Sequence, residues 1–267
     1  MKVNLNDFLK KDSEWLKGTG PNSDIVMSSR VRLARNLDKL AFSHWADKKQ
    51  QESIMNAVFD AAKSVSYLKD ALFIRLKDLN EVDRFFLVER HLMSPEHTKD
   101  VEFKALIVDP QEIVSIMVNE EDHLRIQVLQ SGFNLMEAWR MIDFIDTELS
   151  KKLSFAYSAK WGYLTACPTN TGTGLRGSVM LHLPSLVFTA QIGKILQATA
   201  KLGLNIRGLY GEGTEASGNL FQVSNQVSLG RTEEDMIDNI ERIINQIIAR
   251  EETTRRTIST KNREALV

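Results

Sequence analysis

Four short segments of this sequence place arginines or carboxylates beside glycine or small polar residues. "SSRVRLARNL" (28–37) sets Arg30 and Arg32 two apart, behind Ser28 and Ser29. In an extended chain that spacing turns both guanidinium groups to one face. "NEEDHLR" (119–125) gathers Glu120, Glu121 and Asp122 in a turn before Arg125. In the strand that follows, Leu124, Ile126 and Val128 take one face, and Arg125 and Gln127 the other. "CPTNTGTGLRGSV" (167–179) contains the only cysteine, Cys167, with three glycines and Arg176, whose parity matches Ser178 and Met180. "RGLYGEG" (207–213) carries Arg207 and Glu212. Taken singly, each has an ordinary reading. Arginines at strand ends are usually solvated, a lone cysteine is usually a small buried apolar residue, and glycines often only permit positive φ.

Taken together, the four segments suit a polyphosphate. The guanidinium fork matches phosphate oxygens and keeps its charge, and glycine loops let backbone N–H groups approach the same anion. Phosphoryl transfer rests largely on such positioning and charge neutralisation. Glu121 and Glu212, from separate loops, suit a cationic acceptor. The Gly-x-x-x-x-Gly-Lys-Ser/Thr phosphate loop is absent, as is the glycine-loop, His-Arg-Asp and Asp-Phe-Gly set of protein kinases.

The elements that must position these residues follow from periodicity. Asp47 is placed to cap a helix carrying Ile54, Met55, Val58, Phe59 and Ala62, and a second helix is expected over 80–92. The segments 101–109, 112–119 and 124–130 read as adjacent antiparallel strands. Asn134 with Glu137 predicts a capping box opening a helix to about Leu153. "VMLHLP" (179–184) reads as a strand, and Pro184 as the start of a helix to about Leu202. A strand, a glycine loop and a hairpin follow. Thr232 with Asp235 is expected to cap a long last helix, with Met236, Ile237, Ile240, Ile243, Ile244, Ile247 and Ile248 as a core-facing stripe. Strands interrupted by helices, without regular βαβ alternation, predict an α+β fold on a mostly antiparallel sheet.

Composition narrows the classes. The chain has 267 residues, 43% hydrophobic and 26% charged, with a net charge of −1. No global field draws it to nucleic acid or anionic lipid, and no stretch approaches the roughly 18 apolar residues of a membrane span. One cysteine excludes an internal disulfide framework and suits a reducing compartment. With no signal-peptide run at the start, a cytoplasmic protein without membrane or nucleic-acid partners is expected. In the absence of repeats or linkers, a single domain over 1–267, with its core at about 24–250, is the default.

The four segments, in order, closely resemble the signature blocks of the phosphagen (guanidino) kinases, the family of creatine and arginine kinases. "CPTNTGTGLRGSV" resembles the active-site signature and "NEEDHLRI" a second block. "SSRVRLARNL" resembles the first arginine pair, and "RGLYGEGTEASGNLFQVSN" a mobile loop with its hairpin. The resemblance covers about residues 24–250. It implies a glutamine-synthetase-like catalytic domain, an antiparallel sheet flanked by helices, and phosphorylation of a guanidinium nitrogen by ATP. By position, Arg30, Arg32, Arg125, Arg176 and Arg207 resemble the family's ATP clamp, with Ser28, Ser178 and His91 on the nucleotide side. Glu121 and Glu212 resemble the carboxylates that hold the guanidinium, and Cys167 the substrate-side thiolate. Mg²⁺ is expected to be held mainly by ATP, with no dedicated protein site.

The sequence departs from creatine and arginine kinases in starting its first arginine block within thirty residues, without the helical domain that encloses a small substrate. That pattern resembles the bacterial branch that phosphorylates arginine side chains in proteins and serves protein quality control under stress. It implies protein substrates bearing arginine, and activator or protease-system partners. Members of that branch continue into a helical dimerisation region, so a short homologue and a truncated chain both remain open, as does a homodimer. Two rival readings also stay open. One is a kinase of free arginine or another small guanidino compound, and the other a non-catalytic adaptor binding nucleotide or phosphoarginine.

Overall fold

The computed structural model describes residues 11–208 and 217–265, the side chains of 261–265 excepted. Its centre is an antiparallel sheet: β1 (Val26–Arg35), β2 (Leu72–Arg75), β3 (Ala105–Val108), β4 (Val114–Val118), β5 (Leu124–Ser131), β8 (Leu175–His182), β9 (Leu204–Gly208) and β10 (Leu220–Asn225). Their spatial order is β2-β3-β4-β5-β1-β8-β10-β9, and β6 (Tyr157–Ser158) and β7 (Gly162–Tyr163) form a separate small hairpin. The first arginine strand, β1, therefore lies mid-sheet between β5 and β8, which carry Arg125 and Arg176.

The two sheet faces differ as the alternation predicts. One face sends Val31, Leu33, Ile126, Val128, Val179, Leu181 and Val223 into the main core. Three helices contribute buried residues to that core: α1 (Lys48–Ala62), α3 (Leu135–Ser150) and α6 (Glu233–Ala265). All seven predicted apolar residues of α6 are buried, each such side chain contributing about 1.5–3 kcal/mol by leaving water. The other face is polar in the middle. Toward β2–β4 a second core covers it, where Leu87 of α2 (Glu81–Glu89) packs with Leu92, Met93, Leu106 and Met117. The arginine rows thus remain open to solvent while the opposite face is closed.

Local chemistry fixes several element ends. Asp47 and Gln50 form a reciprocal capping box on α1, and the Thr232 hydroxyl accepts from Asp235 N at 3.1 Å at the start of α6. Other expected boundaries shift. The second helix stops at Glu89, because His91 adopts φ +60° and leaves the helix. Val101–Phe103 is a 3₁₀ turn, so β3 starts only at Ala105. Asn134 forms no capping box: its amide donates to Ser131 O, while Glu241 of α6 accepts from Met136 N. The strand expected at 179 begins at Leu175, which makes Arg176 and Ser178 strand residues. The helix expected from Pro184 to Leu202 is two, α4 (Pro184–Phe188) and α5 (Ile192–Lys201), broken where Ala190 takes φ +53°. Among the described residues no helix is long and apolar enough to cross a membrane.

Candidate active site

Strand register assembles the arginines in rows. Arg32 lies between Gln127 of β5 and Arg176 of β8, and Arg30 between Leu129 and Ser178. One row further, Ser28 pairs with Met180, Met180 with Gln222, and Gln222 with Arg207 on the edge strand β9. Arg125 shares the face of Gln127, opposite Ala34. Two neighbouring cavities open on this face. One, of about 170 Å³, is lined by Arg32, Arg125, Arg176, Glu121, Cys167 and Asn170 among others. The second, of about 160 Å³ and more apolar, is lined by Ser28, Arg30, His91, Ser178, Met180 and Trp15 among others. Four predicted arginines, both serines, His91, Glu121 and Cys167 therefore meet on one sheet face. Arg207 sits exposed at its border, and Glu212 lies outside the described residues.

The cluster is short of negative charge. Among the described residues, Arg30, Arg32 and Arg176 form no ion pair, and Arg32 Nε and Arg176 Nε are buried without a hydrogen-bond partner. Burial, then the charges of Arg125 and Arg176, pull Arg30 down to about 10. Burial and the same neighbours push Arg32 well below its usual value, with Glu120 partly offsetting them. Arg176 is lowered by burial, then by Arg207 and Arg125. Unpaired donors and crowded like charges are what an incoming polyanion relieves. His91 is also lowered, by desolvation and by Arg30, which favours the neutral ring beside the second cavity. Among the described residues no group of three or more His, Cys, Asp or Glu could hold a metal ion.

The carboxylates of residues 120–122 divide into separate tasks. Glu120 receives Arg125 Nη1 on both oxygens at 2.8 Å and the Ser94 hydroxyl at 2.5 Å. Although burial opposes it, these partners hold Glu120 below its usual value and keep it ionised. Asp122 is buried and accepts from Asn36 Nδ2 at 2.6 Å and from Ala166 N at 2.7 Å, tying down the segment that leads to Cys167. Only Glu121 is left exposed at the cavity mouth. Partial burial and the charges of Asp122 and Glu120 raise it above the usual carboxylate value. His123 Nδ1 accepts from Leu37 N at 2.9 Å, so its Nε2 carries the proton and donates to Ala41 O at 2.8 Å.

The glycine stretch acts as a strut. Gly172 (φ +117°) and Gly174 (φ +68°) sit so close to the backbone of Ser228 and Ala34 that a Cβ would lie 2.4 and 2.6 Å from their carbonyl oxygens. The loop is held from below by Arg35, whose odd parity sends it to the buried side. Arg35 Nη1 donates to Thr173 O at 2.7 Å, its Nε and Nη2 engage Asp146, and its guanidinium lies 3.5 Å from the Tyr163 ring centre. Cys167 Sγ lies 3.0 Å from the Thr169 hydroxyl at the head of a 3₁₀ turn.

Four supporting residues escape a motif search. Glu120, Asp122 and Arg35 lie inside recognisable segments, and the parity of Arg35 was a usable signal. Trp15, which meets His91 edge-on at 4.8 Å, carries none.

A family model for the ATP:guanido phosphotransferase C-terminal catalytic domain matches residues 52–254. The chain belongs to the ATP:guanido phosphotransferase family. Like other members, this guanido phosphotransferase is a transferase of phosphoryl groups. It is 50% identical over 254 residues to the protein-arginine kinase of Halothermothrix orenii, covering 95% of this chain and 72% of that protein. It is 50% identical over 250 residues to the protein-arginine kinase of Symbiobacterium thermophilum, covering 92% and 71%. Among solved structures, a duplicated taurocyamine kinase from Schistosoma mansoni with bound transition-state-analogue components superposes with a TM-score of 0.78 at 28% identity, over 88% of this chain and 34% of that one. Lombricine kinase, at 22% identity and a TM-score of 0.78 over 92% of this chain and 71% of that one, shares the fold.

Proposed function

We propose that this guanido phosphotransferase is a protein-arginine kinase, a single catalytic domain that moves the γ-phosphoryl group of ATP to the guanidinium of arginine residues in proteins. One observation carries the reading: a single cavity is lined by Arg32, Arg125 and Arg176 together with Glu121 and Cys167. Half the positions are identical to relatives named protein-arginine kinase, which supports a protein acceptor.

In this reading Arg30, Arg32, Arg125, Arg176 and Arg207 hold the phosphates, and Ser28, Ser178 and His91 border the nucleoside. The unpaired Nε atoms of Arg32 and Arg176 fit that ligand. Mg²⁺ bound with ATP would add to the neutralisation of the phosphate oxygens that these arginines provide. Glu121 and Glu212 grip the acceptor guanidinium and aim one nitrogen along the line of the γ-phosphorus. A protonated guanidinium is a poor nucleophile and gives up its proton very reluctantly. As the N–P bond forms and the bond to the ADP oxygen breaks, the nitrogen's proton passes to Glu121. A carboxylate is a weak base against such an acid, so orientation contributes more than basicity. Cys167 adds a polarisable group on the guanidinium side.

The experiment compares free arginine and an unfolded, arginine-rich protein, each with labelled ATP and Mg²⁺. Acid-labile label on the protein supports the reading. Label on free arginine alone indicates a small-guanidino kinase, and ATP binding without turnover on either acceptor indicates an adaptor.

A further inference from the structure

Exposed aromatic side chains that neither hydrophobic core uses stand on two segments fastened to Asp122 and His123, next to Glu121. After β1, residues 41–46 make a tight turn in which Trp45 N and Ala46 N both donate to Phe42 O, at 2.8 and 2.9 Å. The Gln51 amide of α1 donates to Ser43 O at 3.0 Å, and His123 Nε2 to Ala41 O at 2.8 Å. His123 is two residues from Glu121, so the turn is fastened beside the carboxylate that lines the cavity. It displays a ring cluster, His44 and Trp45 at 4.5 Å and Phe42 and Trp45 at 6.4 Å. Trp45 is 74% exposed.

A second aromatic pair stands on the β6–β7 hairpin, where Tyr157 and Trp161 are exposed. Ala156 N donates to Asn36 O, Leu164 N to Ala156 O, and Ala166 N to Asp122, which places the hairpin directly before Cys167. Lys160 covers the Trp161 ring at 4.7 Å, whereas Trp45 is open. Large apolar groups held rigidly in water next to a reaction site mark a recognition surface.

We infer that this aromatic rim, with Trp45 foremost, docks the polypeptide segment around the acceptor arginine and favours apolar or aromatic residues beside it. The inference rests on the protein-arginine kinase reading. With a guanidinium held at Glu121, the arginine's aliphatic stem fills the cavity mouth, and its backbone and neighbouring side chains come to lie outside, at the level of the rim. A free guanidino compound ends before that level. An extended, unfolded segment reaches it and can lay a flanking leucine or phenylalanine on the Trp45 face.

The test uses two synthetic peptides with one central arginine, flanked in one by leucine and phenylalanine and in the other by glycine and serine. Initial rates are measured for the wild type, Trp45→Ala and Trp45→Phe. The expected result is a KM raised roughly fivefold for the apolar-flanked peptide in Trp45→Ala, as for loss of one aromatic anchor. The kcat, the KM for ATP and the KM for the glycine–serine peptide stay at wild-type values, and Trp45→Phe restores most of the loss. An unchanged KM for the apolar-flanked peptide overturns the inference, as does an equal rise for both peptides. A wild type that phosphorylates free arginine but neither peptide overturns the underlying protein-kinase reading instead.

Discussion

Replacing Arg30 by methionine separates two opposed effects of the arginine cluster. In the anion-free fold its guanidinium is held at about 10, well below the ordinary arginine value. That depression corresponds to about 3.5 kcal/mol, at roughly 1.4 kcal/mol for each tenfold change in proton affinity. Arg30 is only half-buried, and solvent screening on its open side reduces this to roughly 1–2 kcal/mol. Its folded pKa lies below the unfolded one, so the charged form destabilises the fold at every pH below about 10. The penalty fades only as pH rises above about 10 toward the ordinary arginine value. Methionine keeps the stem's packing and discards the charge. At about 2–4 °C per kcal/mol for a chain of this size, the variant's anion-free melting temperature at pH 7 should rise by roughly 2–8 °C. Its kcat/KM should fall by about 10²–10³, as for loss of one charge-stabilising donor, and ATP should stabilise it less than the wild type. Thermal melts with and without ATP and Mg²⁺, beside a transfer assay, read both effects. A variant that melts lower without nucleotide, or transfers phosphate normally, refutes the reasoning.

Three further outcomes follow from the site. In the proposed mechanism Glu121 acts ionised, and its carboxyl is raised above the usual 4.5 by burial and its acidic neighbours, so kcat/KM should fall on acidification with a midpoint above that value; a pH–rate profile with its acid limb lower contradicts the assignment. Arg35→Met leaves Asp146 buried without its partner, so a loss of about 3–5 kcal/mol is expected in denaturant unfolding, with transfer declining as residues 172–174 lose their support. Trp15 borders the second cavity, where the proposed function seats the nucleoside, so ATP should quench part of the intrinsic fluorescence, and Trp15→Phe should remove that part while binding persists.

Features governed by neighbours in sequence could be read from it directly. The alternation of β1 foretold that Arg30 and Arg32 share a face, and the cap and stripe of α6 foretold its start and buried side. Where long-range contacts decide, local reading failed. Asn134 has the composition of a cap, but the helix N-terminus is served by Glu241, more than a hundred residues away. The segment from Pro184 looks helical throughout, yet Ala190 in a left-handed conformation breaks it. At the site, residue types pointed to an anion clamp. They did not tell Glu120, which holds Arg125, from Asp122, which holds the Cys167 segment, or from Glu121, which stays exposed. Those roles depend on Ser94, Asn36 and Ala166, which no local spacing links to the turn. The glycines that suggested a phosphate cradle also permit close packing against Ser228 and Ala34, which their composition alone did not show.

Localising the transferred phosphate tests the central claim most directly. An unfolded protein incubated with the enzyme, ATP and Mg²⁺ would be digested at neutral pH and sequenced by mass spectrometry. The account predicts phosphate on arginine side chains, lost on acid treatment and absent with Glu121→Gln. Phosphate confined to serine, threonine or tyrosine, or unaffected by Glu121→Gln, would contradict it.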